Sequence, residues 1–304
     1  MRRIILWCAM LVAAAPGLFP DLSIGLMPAE NSFPLVVAAE KGYFAQEGVK
    51  VTLVLFSSQL NREAALHSGS VDGSISDLIN AVQSRANGAE IVVTSASEGA
   101  FSLLVSPRSP LSGLDAWKAG NRKVRAGLLE SSIVLYVAER LLQQAKVDPG
   151  TIELVPIVPV PMRLEMLLAG QIEAACLPEP MGAVAESRGA RRIADSSSLG
   201  STPGVILFTR RAIEAKSAEL RAFYRAYNRA VAETNANGSA YRAAIVEACG
   251  LPVELAGSLR VPAYRAAFVP SREELEEVAS WMLAKGLIRT LPRYEDVVLD
   301  SLLP

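Results

Sequence analysis

Residues 22–56, LSIGLMPAENSFPLVVAAEKGYFAQEGVKVTLVLF, decide the fold. They open with a short apolar run, Leu22–Met27, that reads as a strand. Leu35–Gln46 then reads as a helix, with Leu35, Val36, Ala39, Tyr43 and Phe44 roughly on one face, and Gly48 ends the unit. Val49–Phe56 follows as a strand, β-branched and alternating at first. Strand, helix and strand on short connections make a βαβ unit, the building block of a mostly parallel sheet covered by helices.

The alternation continues outward from this stretch. Asn61 is placed to cap a helix over Arg62–Ser68 that stops at Gly69. Val71–Ser76 reads as a strand, Leu78–Ala86 as a helix closed by Asn87 and Gly88, and Ile91–Ser95 as a strand. Phe101–Pro107 reads as a further strand, and a second α/β series follows, with strands at Val124–Leu129, Ile152–Val158, Ile172–Leu177 and around Ile193. Helices are predicted at Ile133–Gln144, Arg163–Leu168 and Met181–Arg188. Val205–Thr209 returns as a strand, and from Arg211 the chain reads as nearly all helical. This order predicts lobe one from residues 21–106 with 205–304, and lobe two, residues 107–204, inserted within it. Crossings near Ser102–Ser109 and Ser201–Thr209 would form the hinge, about which rigid lobes close on a cleft. A single doubly wound domain with a helical appendage is the alternative.

Composition narrows the function. Hydrophobic residues are 51% and charged residues 20% of 304, which allows a sizeable core. The formal net charge is −1 and Lys and Arg do not cluster, which argues against a nucleic-acid partner. Arg2 and Arg3, the apolar run Ile4–Ala15 and the small residues Ala13–Ala15 read as a secretory signal over residues 1–20. The run is short of the ~20 residues a membrane-spanning helix needs. An exported, periplasmic or extracellular protein is therefore expected, with an uncleaved N-terminal anchor as the alternative. Cys176 and Cys249 read as separate buried thiols, although nothing in the sequence forbids a pair. With His67 the only histidine, a histidine-based metal site is not expected, nor is any cofactor.

Three separated motifs carry a resemblance. Ala39-Glu40-Lys41-Gly42-Tyr43-Phe44 with Glu47-Gly48, then Ala65-Leu66 with Gly69-Ser70-Val71-Asp72, then Leu167 through Ala174 (LLAGQIEA) resemble the periplasmic binding proteins for nitrate, sulfonate, taurine and thiamine-pyrimidine precursors. This is the NMT1/THI5-like group of ABC transporter substrate-binding proteins. The resemblance implies an α/β type II periplasmic-binding fold, two lobes joined by a two-strand hinge, with a helical C-terminal tail. It implies capture of a small molecule between the lobes and delivery to an ABC permease and ATPase, by a monomer that does no chemistry. In the motifs themselves, Gly42 is expected to allow a tight helix end, Tyr43 and Phe44 to cover the sheet edge, and Asp72 and Glu173 to hold turns.

In open α/β sheets ligands bind outside the carboxyl ends of the strands. That rule selects Asn31, Ser32 and Phe33 after the first strand, Ser58 and Gln59 after the second, and Asp77 after the third. Ser97 and Glu98 follow the fourth; lobe two supplies Ser131, Ser132, Met162, Arg163 and Glu179. Each of the small polar residues has a cap or turn as its bland alternative, Asp77, Ser131 and Ser132 above all. Glu30, Asp77, Glu98, Glu130 and Glu179 outnumber Arg163 at these ends, with Arg62 deeper in a helix. The count favours a neutral or cationic heterocycle over sulfonate or nitrate, with Asp77 and Glu179 clamping it from opposite lobes. The rival class is an enzyme like the fungal pyrimidine synthases of the same fold. Those resemble this chain in lobe one but use a histidine where this chain has Asn80, and a cysteine-rich segment it lacks. An exported sensor without a transporter is the third reading.

Overall fold

The computed structural model describes residues 21–120 and 122–304; the expected signal segment lies outside them. The first series is β1 (Asp21–Leu26), α1 (Phe33–Glu40), α2 (Tyr43–Gln46), β2 (Lys50–Leu55), α3 (Gln59–His67), β3 (Gly73–Asp77), α4 (Leu78–Ala86) and β4 (Ile91–Ala96). The second is β5 (Phe101–Val105), α5 (Leu114–Gly120), β6 (Val124–Leu128), α6 (Ile133–Gln144), β7 (Ile152–Pro156), α7 (Val160–Leu168), β8 (Ala174–Pro178), α8 (Met181–Ser187) and β9 (Arg191–Asp195). The return is β10 (Gly204–Thr209), followed by α9 (Arg210–Ala215), α10 (Ser217–Asn237), α11 (Arg242–Ala248), α12 (Arg272–Ala284) and α13 (Tyr294–Val297).

Two five-stranded sheets result, ordered β2-β1-β3-β10-β4 and β7-β6-β8-β5-β9. In each, the one strand that arrives from the other lobe runs antiparallel to both of its neighbours. Its direction follows from its origin, because it enters at the carboxyl ends of the resident strands. β5 therefore pairs within the second sheet, whereas the boundary expected after residue 106 had put it in the first. The crossings fall earlier than expected, at residues 97–100 and 196–203. They are bonded to one another: Thr202 Oγ1 donates to the Gly99 carbonyl at 2.7 Å, and the Phe101 N–H donates to Ser196 Oγ at 2.9 Å.

Local chemistry explains the other departures. The helix expected over Leu35–Gln46 breaks at Gly42, which sits at φ 65°, a left-handed conformation that glycine adopts without strain. The break turns Phe44 inward to stack on Phe223, ring centroids 5.7 Å apart. Ser58, not Asn61, caps α3, its hydroxyl accepting from the Asn61 N–H at 3.2 Å. Asp72 accepts from Ser23 and pairs with Lys216 at 2.9 Å, tying β1 to the tail. The tail is less helical than expected, since the span from Ser258 to Ser271 carries no helix. Pro262 and Pro270 suit an extended path there, and its carbonyl at Phe268 takes the Ala96 N–H at 2.6 Å. The last helix stops at Val297 because Val298 bridges to Val93 at the edge of the first sheet. Cys176 and Cys249 are separate buried thiols, both pushed up to about 12 by burial. Among the described residues no helix is long and apolar enough to cross a membrane.

Candidate functional site

The carboxyl ends of the two sheets face each other across the crossings. Between them lies a narrow, partly open cavity of about 70 Å³. Its walls are mainly apolar: Met27 and Ile75 from lobe one, and Phe101, Leu129, Ile133, Val134, Val158 and Val160 from lobe two. Asn31, Gln59, Arg62, Asp77 and Arg163 supply polar groups. Apolar walls with a few fixed polar groups are the usual make-up of a small-molecule site.

Two arginines, one from each lobe, occupy matching places. Arg62 stands in the first turns of α3 and Arg163 in the first turns of α7. Arg62, Leu66, Gly69 and Asp72 recur at the same mutual spacing as Arg163, Leu167, Gly170 and Glu173. A glycine in β1 and one in β6 make room for the two arginine stems. A Cβ at Gly25 would lie 3.4 Å from Arg62 Cγ, and one at Gly127 would lie 3.1 Å from Arg163 Cγ. Both side chains are buried, and the Nε of each has no hydrogen-bond partner.

Their surroundings differ in charge. Arg62 donates to Ser76 Oγ at 2.9 Å and lies 3.4 Å from Glu63, with Asp77 close enough to be felt. Burial raises the carboxyls of Asp77 and Glu63, the latter to about 7. Among the described residues Arg163 finds only backbone acceptors: Nη2 donates to the Ile157 carbonyl at 2.7 Å and Nη1 to the Cys176 carbonyl at 3.4 Å. Burial lowers its guanidinium to about 10. Among the described residues no carboxylate is hydrogen-bonded to this buried cation. Glu30 stands at the edge of the cavity, raised to about 7 by burial and by the neighbouring Glu179 charge.

Of the residues selected from sequence, Asn31, Gln59, Asp77 and Arg163 line this cavity. Asp77 both lines it and caps α4, Oδ1 accepting from the Asn80 N–H at 2.9 Å. The others take different positions. Phe33 is fully buried in the core, and Ser32 turns back to donate to the Met27 carbonyl at 2.8 Å. Ser58 and Ser132 are helix caps. Ser131 bonds across the lobes to Gln83 Oε1 at 3.1 Å. Met162 points to solvent, 55% exposed, because α7 starts at Val160 rather than Arg163; Val160, Arg163, Leu164 and Leu167 then share the inner face. Ser97 and Glu98 line grooves on the far side of the 97–100 crossing, where Glu98 meets Arg265 at 3.7 Å.

Glu179 also faces that far side. It binds Arg192 at 2.8 Å, the Ser102 hydroxyl and the Ala183 N–H. The structure therefore does not bring Asp77 and Glu179 together as a clamp. Of the five acidic residues counted, Glu30 and Asp77 line the cavity and Glu130 is exposed; with Arg62 and Arg163 beside them, the lining carries as many basic as acidic side chains. Arg62 was the main omission, and its identical placement in the repeat with Arg163 was the signal that could have found it. His67 is outside the cavity, with Nε2 2.9 Å from Ser84 Oγ.

A profile of the NMT1-like family matches residues 19–250. A search of curated proteins finds no match. Among solved structures, the ligand-binding component of an ABC-type import system from Staphylococcus aureus, with zinc bound, is 18% identical with a TM-score of 0.80, covering 93% of this chain and 97% of that one. The alkanesulfonate-binding protein SsuA from Xanthomonas axonopodis pv. citri, bound to MOPS, is 23% identical with a TM-score of 0.74, covering 95% and 99%. The desulfurization enzyme DSZB is 14% identical with a TM-score of 0.69, covering 93% and 97%. At these identities the likeness establishes the fold, the two-lobed fold of periplasmic binding proteins, and the fold serves both binders and an enzyme. No cluster of three or more His, Cys, Asp or Glu suited to a metal occurs among the described residues. The family match runs through both lobes and most of the tail's first half: the chain is a member of the NMT1-like family.

Proposed function

We propose that this chain is an exported solute-binding protein that closes its two lobes on a small organic anion and delivers it to an ABC importer. One observation carries the ligand class. Arg163 is a buried guanidinium on the cavity wall whose hydrogen bonds go only to main-chain carbonyls, while its counterpart Arg62 already has Glu63 and Asp77 beside it. A buried charge is tolerated at lower cost when a counter-charge arrives. A ligand acid group meets that need, and the apolar wall formed by Ile133, Val134, Val158 and Phe101 suits a hydrocarbon or ring body. Asn31 and Gln59 offer amides for its remaining polar atoms.

The family match, the fold shared with import-system binding components and the apolar run after Arg2 and Arg3 support the exported, importer-linked role. Binding is favoured over catalysis by the fold shared along nearly the whole chain with an import-system binding component and an alkanesulfonate-binding protein. The test is mass spectrometry of small molecules released on denaturing the purified protein, followed by calorimetry with each candidate on refolded protein. An acid released in stoichiometric amount and rebound in the micromolar range or tighter is the expected result. A cationic or neutral ligand would overturn the ligand class, and consumption of the bound compound would overturn the binding role. Ligand-dependent stimulation of the importer ATPase in proteoliposomes tests delivery.

A further inference from the structure

On the far side of the crossings lies a larger trough, of about 550 Å³. Small-molecule sites run from about 300 to 1,000 Å³, so this space is of ligand size. The crossings line it with residues 98–101 and 200–202. Lobe two adds Ala183 and Ser187 of α8 and Arg192 and Asp195 of β9, and the tail adds Leu259 and Arg260.

Three of the five acidic residues that the strand order puts at carboxyl ends gather here: Glu30, Glu98 and Glu179. Asp195 is a fourth, against Arg192 and Arg260. Glu179 and Asp195 are satisfied within the chain. Glu179 pairs with Arg192 at 2.8 Å, and Asp195 accepts from the Ser197 N–H at 3.0 Å. Glu30 and Glu98 are less well provided for. Glu30 is 7% exposed and its carboxylate meets the Ala100 main chain; Arg260 and Arg192 act on it from a distance. Among the described residues no cation forms an ion pair with it. Glu98 has Arg265 at 3.7 Å, too long for a hydrogen bond.

Glu30 and Glu98 also line an adjoining recess of about 160 Å³, whose other walls include Tyr227, Tyr264 and Phe268. The Tyr264 hydroxyl donates to the Glu30 carbonyl at 2.9 Å, which holds its ring beside that residue. One cation of the chain itself already stands there. The Arg265 guanidinium lies 3.6 Å from the centre of the Phe268 ring, although its side chain is 64% exposed. Aromatic faces beside carboxylates are the chemistry that recognises organic cations. Burial raises Glu30 to about 7, and a positive charge brought beside it would offset that cost.

We infer that the trough is a second solute site, separate from the cavity between the lobes, and that it takes an organic cation. The head, an alkylammonium or alkylguanidinium, takes the place of the Arg265 guanidinium beside Glu98 and Phe268, with Glu30 as the second carboxylate. The inference holds whatever solute enters the cavity.

Calorimetry on refolded, ligand-free protein tests it with butylammonium and butylguanidinium, and with 1-butanol as the uncharged control. Both cations should bind one to one with a Kd of about a millimolar or tighter, as so few atoms permit, and 1-butanol should not bind. Glu98→Gln should weaken both by about tenfold or more through the lost charged contact. Arg265→Ala removes the internal competitor and should tighten both by up to about fivefold. No binding of either cation to the parent or to Arg265→Ala overturns the site. So does an unchanged affinity in a Glu98→Gln protein that keeps the parent's circular dichroism. Binding of 1-butanol as tight as that of the cations overturns the ligand class. A loss in Asp77→Asn without one in Glu98→Gln would put the cation in the cavity and overturn the trough.

Discussion

Replacing Arg163 with methionine separates a binding role from a scaffolding one. The substitution removes a charge whose burial lowers the guanidinium to about 10, equivalent to about 3 kcal/mol against the charged form. It also takes a donor from the Ile157 and Cys176 carbonyls, which costs about 1–3 kcal/mol if they stay dry. Methionine fills most of the space of the arginine stem. The two terms oppose each other, so the ligand-free variant should unfold within about 2 kcal/mol of the parent. Ligand affinity has no such compensation. A charged hydrogen bond to the ligand acid is lost, worth about 1.5–3 kcal/mol, so affinity should fall about ten- to 150-fold. Urea unfolding of the ligand-free proteins and calorimetry with the acid recovered from the parent measure the two quantities. Affinity within twofold of the parent would remove Arg163 from the ligand's acid group. A loss of ligand-free stability above about 4 kcal/mol with no matching change in binding would make Arg163 a scaffold for the ends of β7 and β8.

Gly127→Ala should destabilise by about 1–3 kcal/mol and weaken binding as well, because its Cβ would stand 2.5 Å from Ile172 Cδ1 and 3.1 Å from Arg163 Cγ. Gly113→Ala, with open space at the same test position, is the control and should leave both thermal unfolding and calorimetry unchanged. Glu30 has a folded value of about 7 against an ordinary 4.5, so the folded state keeps a proton that the unfolded chain releases between those values. Its contribution to stability is therefore greatest below pH 4.5 and lost as pH rises through 7, by on the order of 3 kcal/mol, and Glu30→Gln should flatten that decline when unfolding is compared at pH 5 and pH 8. Asp77→Ala should cost about 1 kcal/mol through the lost cap of α4, whereas Asp77→Asn keeps a capping oxygen and should unfold near the parent's midpoint. Intact-mass analysis of the secreted protein should give a start between Ala15 and Leu22; a membrane-bound product that keeps Met1–Ala14 would refute export with cleavage.

The reach of the sequence is clearest at α7. The repeat that ends in Gly170 and Ile172 was legible, and so was the selection of Arg163 for the cleft. The start of the helix was not, since Val160 and Pro161 read as loop. Moving that start by one turn sends Met162 to solvent and keeps Arg163 inward. Glu179 shows a second limit. Its position at the end of β8 followed from the strand order, but its carboxylate turns to Arg192 on β9, a strand that pairs two places away in the sheet.

What the sequence determined by itself was the periodic part of this protein: the order of the strands and of the helices between them apart from α5, the family motifs, the caps at Asp77 and Ser132 and the ends of strands from which a site is built. These are local properties, fixed by the spacing of apolar residues and by turn chemistry within a few positions. Only the tertiary structure decided which polar side chains meet. The crossing at 97–100 puts Glu179 and Glu98 on one side and Asp77 and Arg163 on the other, and α12 reaches α6 from more than a hundred residues away in the chain. Charge compensation depends on distances across folded elements, and no count of acidic and basic residues at strand ends contains those distances.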